Sequence, residues 1–210
     1  MRWQFCQGIM NTSVHQIGRR EQRRAEMRQR IVEAAIELHQ TLGPARTTIA
    51  DIARRAGVQR LTVYRYFPDE RSLRAACSTT FRLQNPPPDP EVWRKIADHG
   101  KRLRRALGEL LPYYRRTQAM SSRVLRDAEV NELVREAARG RQEYAARVGA
   151  VLEPGWAARG RRKTWLRAAI GHATDFRTWE SLALGQGLDD DAITEVLVAM
   201  VGEVAAPCSH

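Results

Sequence analysis

The chain has 210 residues, with 35 Lys+Arg against 24 Asp+Glu and a formal net charge of +11. With 43% apolar residues, 14 Gly and 9 Pro, it is neither a disordered chain nor a collagen-like or low-complexity scaffold. The excess positive charge points to a polyanionic partner, nucleic acid before anionic membrane. Residues 1–85 hold 15 basic and 7 acidic residues, a net of +8, so most of the excess is N-terminal. The three cysteines, Cys6, Cys77 and Cys208, form no CxxC pair, which argues against a disulfide framework or a structural zinc site. No apolar run approaches the ~20 residues of a membrane helix, and residues 1–20 lack the apolar core of a signal peptide. A cytoplasmic protein without a membrane partner, metal or cofactor is expected.

Helical spacing recurs along the chain and strand-like alternation does not, so an all-α fold is expected. Residues 1–20 read as an irregular N-terminal arm. A first helix is predicted over 21–42, with Ile31, Ala35, Leu38 and Leu42 as its stripe and Gly43-Pro44 as its stop. Thr48 followed by Asp51 is a capping-box variant that opens a second helix, and Gly57 suits the left-handed residue that ends it. A third helix is expected over 60–67 and a fourth over 69–83. Two short helices around a glycine-containing turn form a helix-turn-helix, and residues 21–85 are read as a DNA-binding domain of that kind.

Asn85-Pro86-Pro87-Pro88-Asp89-Pro90 marks the boundary to a second helical domain, 86–210. Its predicted helices cover 90–111, 112–129, 131–152, 157–184 and a last one to 204. No nucleophile elbow, phosphate loop or HExxH motif occurs, so the protein does not read as an enzyme. His172 and Asp175 could share a metal, but two ligands are too few.

The segment 31–73 resembles the N-terminal domain of the tetracycline-repressor (TetR) family of bacterial transcriptional regulators. The residues carrying the likeness are Ile31-Val32-Glu33-Ala34-Ala35, Thr47 to Ala53, Ala56-Gly57-Val58 and Thr62-Val63-Tyr64-Arg65-Tyr66-Phe67, closed by Leu73. Gly171 to Phe176, Trp179 and Gln186-Gly187-Leu188 look like the last two helices of one subgroup. The resemblance implies an all-α homodimer, with three N-terminal helices for DNA and the remainder for effector binding and dimerisation. It also implies DNA contacts from Thr48, Arg60, Leu61, Thr62, Tyr64 and Tyr66. Three residues depart from the pattern: Leu61 stands where Gly or Pro is frequent, Ala50 where a polar residue is common, and Glu70 where a backbone-holding Lys is frequent.

The physical reading agrees on the third helix as the reader. Val63 and Phe67 turn inward. Arg60 can engage guanine bidentately, Gln59 adenine or phosphate, and Leu61 a thymine methyl. Thr62, Tyr64 and Tyr66 carry hydroxyls suited to phosphates, and Arg46, Thr48 and Arg65 complete the candidate set. Arg71 or Arg74 could replace the missing Lys at 70, and Arg19, Arg20, Arg23 and Arg24 could follow the backbone.

In the second domain, Trp93, Tyr113, Tyr114, Met120, Trp165 and His172 are candidate ligand-pocket residues, with His99 and Trp156 nearby in type. An apolar lining implies a hydrophobic or aromatic small-molecule effector. Ala169, Ala173, Phe176, Ile193, Val196, Leu197 and Met200 are the expected dimer face. The expected function is a homodimeric repressor released by an effector from a palindromic double-stranded operator in the bacterial nucleoid. The alternative is a constitutive, architectural DNA-binding protein with a vestigial ligand domain.

Overall fold

The computed structural model describes residues 5–206, and side chains from residue 18 onward. All regular structure in it is helical. The chain divides into two units, 1–81 and 82–210, with the division falling inside a helix just before the proline run.

The first unit begins with α1, Phe5–Thr41. The helix thus starts upstream of the expected residue 21, and the stretch from 5 to 20 is helical where an irregular arm was expected. No proline occurs before position 44, and once a helix is nucleated each further residue costs little to add. Its C-terminal half carries the buried stripe: Ile31, Val32, Ala35 and Ile36 are all under 7% exposed. Next come α2 (Ile49–Ala56), α3 (Arg60–Tyr66) and α4 (Glu70–Gln84). Ile52, Ala53, Ala56, Val63, Phe67, Leu73 and Cys77 close the core beneath them.

The second unit contains α5 (Pro90–Arg94), α6 (His99–Ala128), α7 (Glu132–Ala137), α8 (Arg139–Leu152), α9 (Arg161–Ala173), α10 (Phe176–Glu180) and α11 (Asp190–Ala205), with a π-helical turn, Ser181–Gly185, extending α10. Its core is larger, built on Leu103, Leu107, Leu110, Leu111, Leu152, Leu166, Ile170, Phe176, Trp179 and Ile193.

Four boundaries differ from expectation. The helix expected to end at 111 and restart at Pro112 instead runs unbroken through that proline. Pro112 is exposed, while Leu110, Leu111 and Tyr114 around it are buried. Burial of that stripe offsets the ~3 kcal/mol an interior proline costs. The helices expected over 90–111, 131–152 and 157–184 each break in two, the first at residues 95–98 between α5 and α6. Ala138 separates α7 from α8, and Thr174 with Asp175 separates α9 from α10.

Asparagine and aspartate open most of these pieces. Asp89, Asp98, Asn131, Asp175 and Asp189 each accept a backbone N–H of their own helix's first turn, at 2.7–3.1 Å. One buried cation ties several elements together. Arg102, 6% exposed, donates through Nε to the Ile96 carbonyl (2.8 Å) and through Nη2 to Ala97 (3.0 Å). Its Nη1 donates to Val151 (3.0 Å) and Pro154 (2.9 Å). It thereby joins the start of α6 to the α5–α6 turn and the end of α8.

Candidate nucleic-acid interface

The reading head is built from local hydrogen bonds. The Asp51 N–H donates to Thr48 Oγ1 and the Thr48 N–H donates to Asp51 Oδ2, both at 3.2 Å. The Thr48 hydroxyl itself donates to Asp51 Oδ2 at 2.5 Å. This closed capping box fixes the start of α2. The hydrogen bonds from Thr48, with the Arg54 cation adding to them, hold the Asp51 carboxyl below its usual range. The other end is fixed by Gly57, whose φ of +65° lies in the left-handed region. Its N–H reaches the Arg54 carbonyl at 3.2 Å, and the Val58 N–H reaches Ala53 at 2.9 Å. Arg55 Nε donates to Glu37 Oε2 at 2.5 Å and pins α2 to α1.

The turn then delivers α3 with Val63 buried and its other faces outward. Gln59, Arg60, Leu61, Tyr64 and Arg65 are exposed, Leu61 at 78% and Tyr64 at 48%. Thr62 and Tyr66 are half-buried, and Arg46 and Thr48 are exposed. All nine candidate contact residues therefore keep surface on this unit. The Arg65 guanidinium lies 5.6 Å from the Tyr66 ring centroid. The place of Glu70 is also clear. It pairs with Arg74 at 3.3 Å, while Arg74 Nη1 donates to the Pro44 carbonyl at 3.1 Å. Arg74 is thus engaged in holding the α1–α2 turn. Asp69 caps α4 through the Ser72 N–H at 2.7 Å.

The candidate ligand residues of the second unit are not gathered into one site. Trp93 is fully buried and donates to Glu109 Oε2 at 2.9 Å. Tyr114 is buried, donates to the Thr174 carbonyl at 2.6 Å, and meets Phe176 edge-on at 5.7 Å. Met120 is buried too. Tyr113 is half-buried and contacts Tyr114 at 5.8 Å. Trp165 is 48% exposed on α9, with Arg161 stacked over it at 5.0 Å. His172 is exposed and sits 3.2 Å from Thr178 Oγ1, while the Asp175 carboxylate caps α10. Trp93 and Tyr114 are thus core side chains whose polar atoms are already satisfied. His99 and Trp156 stack on each other at 4.2 Å.

Sequence reasoning missed two features here. Arg141 donates to Ser121 Oγ at 3.2 Å and lies 5.6 Å over the Phe176 ring. The Trp179 indole N–H is buried without an acceptor beside Tyr114 and Phe176. Neither carries a sequence signal, because both depend on α6, α8 and α10 meeting.

The expected dimer face needs correction. Ala173, Phe176, Ile193 and Leu197 are at most 2% exposed within the subunit and have no surface to offer a partner. The break at Thr174 explains Phe176: it rotates the chain after α9, so the stripe expected to continue along one helix turns into the core. Ala169 and Met200 remain half-buried, and Val196 is 48% exposed. α9 and α11 pack on each other and leave these side chains, with Trp165, at the surface.

An all-α chain with a capped helix-turn-helix and an exposed basic third helix defines the class of helix-turn-helix regulators. Residues 31–77 match the family described as bacterial regulatory proteins, tetR family. The match lies within the first unit, so it is this N-terminal domain that is similar to the TetR family. A helix-turn-helix-type transcriptional regulator of Mycobacterium tuberculosis, itself uncharacterised, is 49% identical over 57 residues, which is 27% of this chain and 30% of that protein. The curated relatives are thus matched over less than a third of their length. The fold extends further. A TetR-like regulator from Rhodococcus sp. RHA1 aligns over 84% of this chain and 94% of its own, at 20% identity and a TM-score of 0.60. A TetR regulator from Haloarcula marismortui aligns over 86% and 97%, at 20% identity and a TM-score of 0.54. Among the described residues, no helix is long and apolar enough to cross a membrane.

Proposed function

We propose that the protein is a homodimeric repressor that binds a palindromic double-stranded operator and is released by a small-molecule effector. The observation that carries the reading is the helix-turn-helix itself. Its caps fix both ends of α2 and the turn that leads into α3, while Gln59, Arg60 and Leu61 stay exposed at the end that would enter a major groove. Arg60 reads guanine, Leu61 contacts a thymine methyl, and Thr48, Thr62, Tyr64 and Tyr66 hold phosphates. The Thr48 hydroxyl turns from Asp51 to do so.

Dimerisation uses the apolar side chains that α9 and α11 leave exposed: Trp165, Ala169, Val196 and Met200. Two copies present two recognition helices to successive major grooves, roughly 34–36 Å apart. The effector binds the second unit, with Tyr113 and the orphaned Trp179 N–H, both beside Tyr114, as its candidate contacts, which calls for an aromatic or apolar body with one hydrogen-bond acceptor. It favours a dimer whose reading heads have the wrong spacing, because it binds that state more tightly.

The test is selection of bound fragments from sheared genomic DNA, followed by gel-shift titration. A palindrome with half-sites one helical turn apart is expected. Recovery of fragments with no shared sequence contradicts sequence-specific regulation and leaves an architectural role.

A further inference from the structure

The effector proposed above needs more than an apolar body, because a positive charge stands beside its candidate contacts. Arg141 lies in the first turn of α8 and is half-buried. Its guanidinium lies 5.6 Å from the Phe176 ring centroid, and the Trp179 ring flanks the same Phe176 at 5.4 Å. A guanidinium carries several N–H donors in a fixed fork. Within the protein Arg141 uses Nη1, which donates to Ser121 Oγ at 3.2 Å. It forms no ion pair among the described residues, whereas Arg115, which lies 5.7 Å over the Trp179 ring, is paired with Asp190 at 2.7 Å. Its charge is felt inside the unit. Burial pushes the Tyr113 and Tyr114 hydroxyls above their ordinary value of 10.0, and the Arg141 cation pulls both the other way.

The start of α8 is also short of negative charge. Asp or Asn opens and caps α5, α6, α7, α10 and α11. α8 opens on Ala138 without a side-chain cap, and its first turn holds Arg139 and Arg141 and no acidic residue. Cations at the positive end of a helix are unfavourable, and an anion there relieves them. Beside Phe176, the Trp179 indole N–H is buried without an acceptor, a cost that persists until some group accepts from it.

We infer that the effector is an organic monoanion, a carboxylate on an aromatic or apolar body, and that Arg141 holds the carboxylate with the Ser121 hydroxyl beside it. The inference rests on the effector-release reading above and adds a charge to it. One guanidinium without a carboxylate of its own neutralises one negative charge, which favours a carboxylate over a doubly charged phosphate. Paired N–H donation suits the two carboxylate oxygens. The Phe176 and Tyr113 rings take the body, and the Trp179 N–H takes an acceptor on it.

The test measures binding of matched acids and amides to the full-length protein by isothermal titration: 1-naphthoate with 1-naphthamide, and octanoate with octanamide. The acid of at least one pair is expected to bind about 10- to 100-fold tighter than its amide. Arg141→Gln brings acid and amide within about threefold of each other, and Arg141→Lys restores part of the preference. Arg141→Met, which keeps an unbranched stem over Phe176, serves as a second neutral variant. Arg159→Gln, an equal loss of charge on the exposed α8–α9 loop, leaves the preference intact. Circular dichroism melting of each variant separates lost binding from unfolding. Equal affinity for acid and amide, no binding of either acid, or a preference that survives in a folded Arg141→Gln or Arg141→Met overturns the inference, as does an equal loss in Arg159→Gln. An acid that binds through Arg141 but leaves a gel-shifted operator complex intact at saturation strikes the release reading and spares the site. An amide that releases the complex as well as its acid does the reverse.

Discussion

The two units are held together by different means. In the first, nearly every structural hydrogen bond spans a few residues: Thr48 with Asp51, Gly57 with Arg54, Asp69 with Ser72. In the second, the decisive contacts join distant segments: Arg102 with Val151 and Pro154, Tyr114 with Thr174, Arg141 with Ser121, Tyr144 with Pro88. A reading head must keep one geometry, and short-range caps are an economical way to make it rigid. A helical domain that is to change state under an effector is better served by long-range contacts, which can be remade together.

The contrast can be broken most sharply at Arg102. Arg102→Ala leaves four carbonyls without their donor and is expected to destabilise the second unit by about 3 kcal/mol, while the first unit's own core residues are untouched. Thermal unfolding followed together with proteolysis of each unit checks this; an equal loss of protection in both units contradicts the division. Gly57→Ala comes next. Space is open around the added Cβ, so the cost is the left-handed backbone alone, about 1–2 kcal/mol, read as a lower denaturation midpoint together with weaker operator binding.

Thr48→Ala removes the cap of α2 and should cost about 1 kcal/mol. Asp51→Asn tests the same cap by pH. The hydrogen bonds from Thr48 lower the Asp51 carboxyl below its ordinary value of 3.8. Its contribution to stability is therefore complete above that value and lost as pH falls through the lowered one. The stability difference between wild type and Asp51→Asn should be constant near neutrality and shrink below about pH 4. A difference that persists undiminished at pH 2 contradicts the assignment. Smallest in magnitude, and opposite in sign, is Trp179→Phe. It removes a buried donor that has no acceptor, so stability should stay level or rise by up to about 1 kcal/mol, while the effector response weakens if that N–H holds the ligand.

The same contrast decides what could be read from the amino-acid sequence. Thr48, Asp51 and Gly57 are local signals, and the helices they bound lie within a residue or two of expectation. The N-terminal start of α1 was not legible, because the stretch from 5 to 20 contains neither a strong apolar stripe nor a cap. In the second unit, Asn131 opens its helix as expected, whereas Asp98 and Asp175 mark helix starts in stretches without Pro at the breaks and are outweighed by continuous apolar spacing. Pro112 is the reverse case, a strong local breaker overruled by the packing of Leu110, Leu111 and Tyr114. The candidate site followed suit. The exposed face of α3 could be assigned from spacing, whereas four of the seven expected dimer residues are core: the turn at Thr174 carries Phe176 inward, and Ala173, Ile193 and Leu197 are buried where α9 and α11 pack within the subunit. The contacts of Arg102 and of Arg141 with Ser121 could not be foreseen, since each exists only when separate helices meet.

The central claim is that α3 reads bases from its first turn and holds phosphates farther along. Competitive gel-shift titration of Arg60→Ala and Tyr64→Phe on a selected operator and on random duplex tests it directly. Arg60→Ala should cost about 1–3 kcal/mol on the operator and far less on random DNA, collapsing discrimination, and Tyr64→Phe should weaken both about equally. Unchanged discrimination in Arg60→Ala, with the fold intact, would contradict the account.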